Sequence, residues 1–340
     1  MQTPTLRDVA EAAGVHAATA SRALNPATRG LVNVETARRV IKIAETLGYR
    51  PNPMARGLKT ARSGTVGVVI PDLTNPLFPP IARGIERGLE AEGYSALLVN
   101  TDNDSGRERA QVESLLSRQV EGLIVATALV EHPLLEQLHR QGVPMVMVHR
   151  RPDGLEVPSI LPDDAAGVRM AVEHLVALGH RRIAHLAGPP ATSTGVVRAR
   201  AFHSTIRDLG LVDEPALTTT CELWSEESGA DALRRLLDAG ADFTAVVAGN
   251  DLIALGCYDV FAERGIDCPG DVSVVGFNDM PFLDKLRPPL TTVAIPHHEI
   301  GTEAARLLLD SIGDPTRPSR SVLFPLSLVV RGSTAAPADV

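Results

Sequence analysis

Only three of the 340 residues are cysteine: Cys221, Cys257 and Cys268. They are too few and too scattered for a disulfide framework and lack the paired spacing of a zinc site, so they read as packed thiols. Long apolar runs are missing as well. The longest are strand-sized, which excludes a membrane-spanning helix, and Met1 to Asp8 has no apolar core of signal-peptide length. The expectation is a cytoplasmic protein that makes no membrane contact. Catalytic signatures are also absent: there is no GxGxxG after a strand, no GxxxxGK[ST] and no GxSxG. His297-His298-Glu299 comes nearest to a metal motif, but neighbours on a helix point to different faces, so it reads as a solvated helix start. No cofactor, no metal and no catalysis are expected.

What is present is a chain with enough apolar residues, 44%, to bury a large core and with room for one small and one large domain. The formal net charge of -8 hides a division. Residues 1–62 hold ten Lys/Arg and four Asp/Glu, whereas the remainder holds 23 basic and 37 acidic groups. A basic head on an acidic body suits a head that meets phosphates while the body stays off them.

Within the head, Thr5-Leu6-Arg7-Asp8 has the pattern of a capped helix start, with Val9, Ala10 and Ala13 on one face and Gly14 as the stop. A second short helix follows Val15, with Ala20, Ala23 and Leu24 able to pack inward. Two short helices about a tight glycine turn predict a helix-turn-helix, whose second helix enters the major groove. A third helix is signalled by Asn33 as N-cap, the stripe Ala37, Val40, Ile41, Ala44 and Leu47, and Gly48 as the stop.

Three segments carry a family likeness: Thr5 to Val15 (TLRDVAEAAGV), Thr19 to Asn25 (TASRALN) and Gly48 to Leu58 (GYRPNPMARGL). Together they closely resemble the LacI/GalR family of bacterial repressors, and the resemblance runs nearly end to end. It implies a sequence-specific DNA-binding transcription regulator, by family habit a repressor. It further implies that Ala17, Ala18 and Arg22 read bases, Arg22 through a guanidinium fork suited to guanine O6 and N7. Thr19, Ser21 and Asn25 would hold phosphates or position the helix, and the DNA-facing set extends to Thr5, His16, Arg29, Asn33 and Tyr49. His16 stands where the family usually has Ser or Thr. Asn52 and Pro53 start a hinge helix too short to be stable alone, from which Ala55, Arg56 and Leu58 would reach the minor groove, Leu58 as a wedge between bases.

From Thr65 onward β-rich runs alternate with helical stretches in two similar series: TVGVVI, SALLV, GLIVA and PMVMV, then RRIAHLA, a run near 216–220, TAVVA and DVSVVGF. This alternation predicts parallel sheets covered by helices on both faces, with ligands beyond the carboxyl ends of the strands. The expected fold is therefore an all-α helix-turn-helix headpiece followed by an α/β core like the periplasmic binding proteins, built of two doubly wound parallel-sheet subdomains. Its expected parts are the headpiece (1–48), hinge and linker (49–62), an N-subdomain (63–163 and 295–325), a C-subdomain (164–294 and 326–334) and a tail (335–340).

By the resemblance, Thr194, Arg198, Trp224, Asn250 and Asn278 contact an effector on one wall of the cleft, with Asp72, Asn75, Phe78 and Arg150 opposite. Amides and carboxylates suit hydroxyl groups, arginine suits an anionic group or ring oxygen, and the single tryptophan can stack on a sugar face. Asn278 stands where several relatives have Asp, which points toward a sugar acid or phosphate. Asn250 could equally cap a helix, and Trp224 could be plain core. The expected partners are a palindromic double-stranded operator, a sugar-like effector and a second copy of the chain in a homodimer. The Ala- and Pro-rich C-terminus lacks leucine heptads, so no appended tetramer-forming helix is expected. Two alternatives stand beside this reading: a stand-alone sugar-binding protein, and a regulator answering to a purine-type corepressor.

Overall fold

In a computed structural model, residues 4–25, 28–49 and 63–338 are described. The chain divides into two compact units, Met1–Gly64 and Thr65–Val340.

The first unit is a three-helix cluster: α1 (Leu6–Ala12), α2 (Ala17–Leu24) and α3 (Val34–Leu47). Thr5 caps α1 in a reciprocal box with Asp8, and this hydrogen bonding holds the Asp8 carboxyl below its usual range. His16 caps α2, its Nδ1 accepting from the Ala18 amide at 3.2 Å. An imidazole nitrogen thus does what a hydroxyl oxygen ordinarily does at this position. Asn33 caps α3 through its side-chain oxygen, and Gly48 ends it at φ +66°. The core is small-residue packing of Val9, Ala10, Ala13, Ala20, Ala23, Ala37, Val40 and Ala44. Leu47, expected on the inner stripe, is 40% exposed, because the core-facing stripe of α3 ends at Ala44.

The second unit holds two six-stranded sheets. The first contains β1 (Thr65–Ile70), β2 (Ser95–Asn100), β3 (Leu123–Val125), β4 (Met145–Val148), β5 (Ser159–Pro162) and, returning late in the chain, β11 (Ser321–Phe324). Its order is β11-β5-β4-β3-β1-β2, parallel throughout. The second contains β6 (Ile183–Ala187), β7 (Thr218–Thr220), β8 (Ala245–Ala248), β9 (Ser273–Asn278), β10 (Thr291–Ala294) and β12 (Ser327–Val329), in the order β12-β10-β9-β8-β6-β7. Only β12 runs antiparallel to its neighbour. The central strands are Val-, Ile- and Ala-rich and buried on both faces, as parallel strands between helix layers must be.

The helices are α4 (Phe78–Ala91), α5 (Ser105–Ser117), α6 (Pro133–Arg140), α7 (Asp164–Ala177), α8 (Ser193–Asp208), α9 (Glu226–Asp238), α10 (Asp251–Arg264) and α11 (His297–Gly313). The chain changes sheet after Pro162, after Ala294 and between Phe324 and Ser327, so each half is closed by residues distant in sequence. Residues assigned to a tail are partly held: the Ala335 amide donates to Ser273 Oγ at 3.1 Å, and the Ala335 carbonyl meets His180 Nε2 at 2.9 Å.

Candidate functional site

The loops at the carboxyl ends of β1, β4, β6, β7, β8 and β9 converge between the two sheets. Asn75, Leu77, His149, Arg150, Thr194, Arg198, Trp224, Asn250 and Asn278 enclose a cavity of about 10 Å³ there, room for roughly one water. Two backbone donors bridge the subdomains beside it: Val130 N to Ala191 O at 2.9 Å, and Arg151 N to Ser193 Oγ at 3.2 Å.

Arg198 is the centre of the cluster, on α8 and 2% exposed. Its Nε donates to Asp164 Oδ1 at 2.7 Å, and its Nη1 to the Gly249 carbonyl at 2.8 Å. Nη2 also lies 2.7 Å from Asp164 Oδ1, close enough for an ion pair although not aligned as a hydrogen bond. The guanidinium carbon stands 3.8 Å from the centre of the Phe277 ring and 5.6 Å from that of Trp224. Asp164 is fully buried; burial pushes its carboxyl up, opposed by Arg198.

Trp224 owes its place to Gly188, where a Cβ would fall 2.0 Å from the indole. Only a glycine there leaves the ring room to lie over the end of β6. Asn250 caps α10 through Oδ1 to the Ile253 amide at 2.8 Å while lining the cavity. Asn278 closes β9 at φ +124°, and its Oδ1 is buried without a partner. His149 Nδ1, Arg150 Nε, Trp224 Nε1 and His297 Nε2 are also buried and unpartnered. Burial, with Arg198 nearby, drives both imidazoles toward neutrality, His149 well below its usual value and His297 to about 4. Orphaned polar atoms are costly and few in folded proteins, and four of these five, on His149, Arg150, Trp224 and Asn278, belong to residues that line the cavity.

Two residues proposed for the site lie outside the lining. Asp72 is half-buried in a turn, accepting from the Thr74 amide and hydroxyl. Phe78 belongs to the hydrophobic core; it meets the cluster through an edge contact with His149, centroids 6.4 Å apart, and through its amide, which donates to the Asn75 carbonyl at 3.2 Å. His297 corrects the expectation of a solvated helix start. It is 9% exposed, because α11 packs against α4 and against β4 and β5 of the first sheet. Its signal in the sequence was the Ile295-Pro296 approach to a helix just after a strand, which gives no side-chain direction. Leu77, Asp164 and Phe277 were likewise not singled out.

In the head, Ala17, Ala18 and Arg22 are exposed along α2, with Thr19 and Ser21 half-buried beside them. Thr5, His16 and Asn33 are exposed and spend a side-chain acceptor on their helix caps. Arg29 donates its Nε to the Ala23 carbonyl at 3.1 Å, bracing the turn after α2, and Tyr49 packs against the head core. Asn25 is half-buried at the C-terminal end of α2. Asn52, Ala55, Arg56 and Leu58 lie outside the described residues.

A helix-turn-helix head joined to a two-sheet α/β body with a polar cleft defines a ligand-responsive DNA-binding regulator. Residues 5–52 match the bacterial regulatory proteins of the lacI family, and residues 172–334 match the periplasmic binding protein-like domain. The chain is 37% identical over 342 residues to the HTH-type transcriptional regulator MalR of Streptomyces coelicolor, covering 98% of this chain and 97% of that protein. Among solved structures it is similar to the lac repressor dimer bound to operator and an anti-inducer, at 30% identity and a TM-score of 0.89, covering 98% and 100% of the two chains. It is also similar to a complex of the regulator CelR with cellobiose, at 32% identity and a TM-score of 0.75, covering 97% and 99%. This chain belongs to the LacI family of transcriptional regulators.

Proposed function

We propose that the protein is a repressor that binds a palindromic operator as a homodimer and whose grip on DNA is set by a small polyhydroxylated effector held between the two subdomains. The observation that carries the effector reading is the group of five buried, unpartnered polar atoms around the Arg198–Asp164 pair. Together they offer donors and acceptors to hydroxyl groups, while the indole of Trp224 supplies an apolar face. The cavity is too small for a sugar ring, so binding requires the subdomains to separate, and that motion is what an effector would couple to the head. Cellobiose in the CelR complex supports a carbohydrate.

On the DNA side, the exposed face of α2 presents Arg22 for base reading, flanked by the methyl groups of Ala17 and Ala18. One short helix reads too few bases for selectivity, so two copies are needed. The lac repressor of the similar structure is a dimer on its operator, which supports a second copy here, and we assign that copy to the face where the edge strand β2 leaves Leu98 40% exposed, with Leu73 45% exposed nearby. Action on chromosomal DNA would place the protein in the cytoplasm.

Trp224 is the only tryptophan, so its emission reports on the cleft directly. The test is a titration of the full chain with a panel of neutral mono- and disaccharides, followed by operator binding with and without each hit. A saturable change in emission that also alters operator affinity supports the reading. Emission changes with no effect on DNA would leave a sugar-binding protein without regulatory coupling.

A further inference from the structure

The charges in the cleft do not balance. Arg150 is 4% exposed, and its side chain makes no hydrogen bond or ion pair among the described residues. Among the described residues Asp164 is the carboxylate that faces it, and it is already engaged at 2.7 Å by two nitrogens of Arg198. Asp163, next in the chain, spends its carboxylate on the Ala166 amide. Asp279 is paired with Arg331 at 2.6 Å, and Asp251 accepts from the Thr292 hydroxyl and the Met280 amide. The remaining polar neighbours, Asn75, Thr194, Asn250 and Asn278, carry no charge. Two guanidinium groups therefore share one carboxylate beside a cavity with room for about one water.

A buried cation without a counter-ion is expensive, and the cost shows in Arg150, whose pKa burial and the neighbouring Arg198 lower to about 10. His149 and His297 are held neutral by the same two causes, so the deficit is one negative charge. We propose that the effector of this cleft carries an anionic oxygen group, a carboxylate or a phosphate on a polyol, which Arg150 receives as its counter-ion. Arg150 Nε, buried and unpartnered, is one donor to that group, and Asn278 Oδ1 is left to accept from an uncharged hydroxyl. A carboxylate at position 278 would have supplied the missing charge from the protein; an amide leaves the ligand to bring it. This inference rests on the cleft being the effector site and narrows what it takes.

The test compares D-gluconate, D-glucose 6-phosphate, inorganic phosphate and neutral D-glucose against the full chain at constant ionic strength, reading Trp224 emission and Tm. At least one anionic probe should bind saturably and about tenfold or more tighter than glucose, as expected for a charge-assisted contact made by only one of the pair. Arg150→Met should lose that preference without a fall in ligand-free Tm, and Arg150→Lys should retain part of it. Gluconate against glucose 6-phosphate separates carboxylate from phosphate, and inorganic phosphate shows whether the anion alone suffices. Glucose binding as tightly as the anions, unchanged in Arg150→Met, would overturn the anion while leaving the carbohydrate cleft intact. Silence from all three anions overturns it too, and the neutral panel then decides separately whether the cleft binds carbohydrate at all. A large drop in ligand-free Tm for Arg150→Met would also overturn it, because Arg150 would then be a paired structural cation.

Discussion

Arg198 and Asp164 form a fully buried ion pair, 2.7 Å apart, that joins the middle of α8 to the first residue of α7, just past the point where the chain leaves the first sheet. The pair ties the subdomain crossing to the loops that line the cavity, since the same guanidinium also holds the Gly249 carbonyl.

Removing one partner of a buried pair leaves an uncompensated charge, which generally costs about 3–5 kcal/mol, whereas replacing both can be close to neutral. Asp164→Asn should therefore lower the unfolding free energy of the body by about 3 kcal/mol, with the head retaining its helices. The double variant Asp164→Asn, Arg198→Met should recover most of that loss. Urea unfolding followed by Trp224 emission checks both. Additive losses in the double variant would mean that the two side chains do not depend on each other.

Much of this arrangement was legible in the chain because strong local signals agreed with the fold. The caps at Thr5 and Asn33 and the stop at Gly48 outline the head, and runs such as TVGVVI and DVSVVGF announce buried parallel strands. The strands β5, β10, β11 and β12 went unrecognised because each carries a serine, threonine or proline where β3, β4 and β8 are unbroken apolar runs. The site was legible as a set of loops but not side chain by side chain. That Asp72 turns onto Thr74, that Phe78 sinks into the core, and that His297 rather than His298 is buried all depend on how α4 and α11 seat on the first sheet. Asp164 was hidden for a similar reason: next to Asp163 it reads as a helix cap, and only the fold brings Arg198 to it.

Two buried groups outside the cavity lining should give opposite pH dependences. His185, stacked 4.5 Å from Phe202 and donating Nδ1–H to the Val247 carbonyl at 2.9 Å, is pushed by burial from 6.5 down to about 4. A folded pKa below the unfolded one gives stability that is present above pH 6.5 and lost as pH falls toward 4. Asp251 is pushed by burial from 3.8 up to about 6, so its contribution is present below pH 3.8 and lost as pH rises through 6. Between pH 7 and 5, His185 should cost about 2 kcal/mol and Asp251 return about 1 kcal/mol. His185→Gln should therefore flatten the fall in unfolding free energy on acidification, and Asp251→Asn should steepen it. The readout is the slope of unfolding free energy against pH, so a constant loss from altered packing does not interfere; parallel slopes in all three proteins would show that neither group titrates in this window.

The last prediction concerns the head, whose helix α2 carries a single long cation. Arg22 is exposed on α2, next to the buried Ala23, so truncating it removes the guanidinium without touching the core. A bidentate arginine–guanine contact is worth about 1–3 kcal/mol of discrimination, or roughly 5- to 150-fold between right and wrong base. Selection of binding sites from a random duplex library should yield a sharp two-fold symmetric consensus with the parent chain. With Arg22→Ala the consensus should lose one guanine in each half-site, while residual binding keeps its salt dependence through the remaining basic residues of the head. Loss at symmetric positions follows from two copies placing the same helix in successive major grooves. An unchanged consensus at both half-sites would remove Arg22 as a base reader and shift the search to His16, whose Nε2 remains free of the capping contact made by Nδ1.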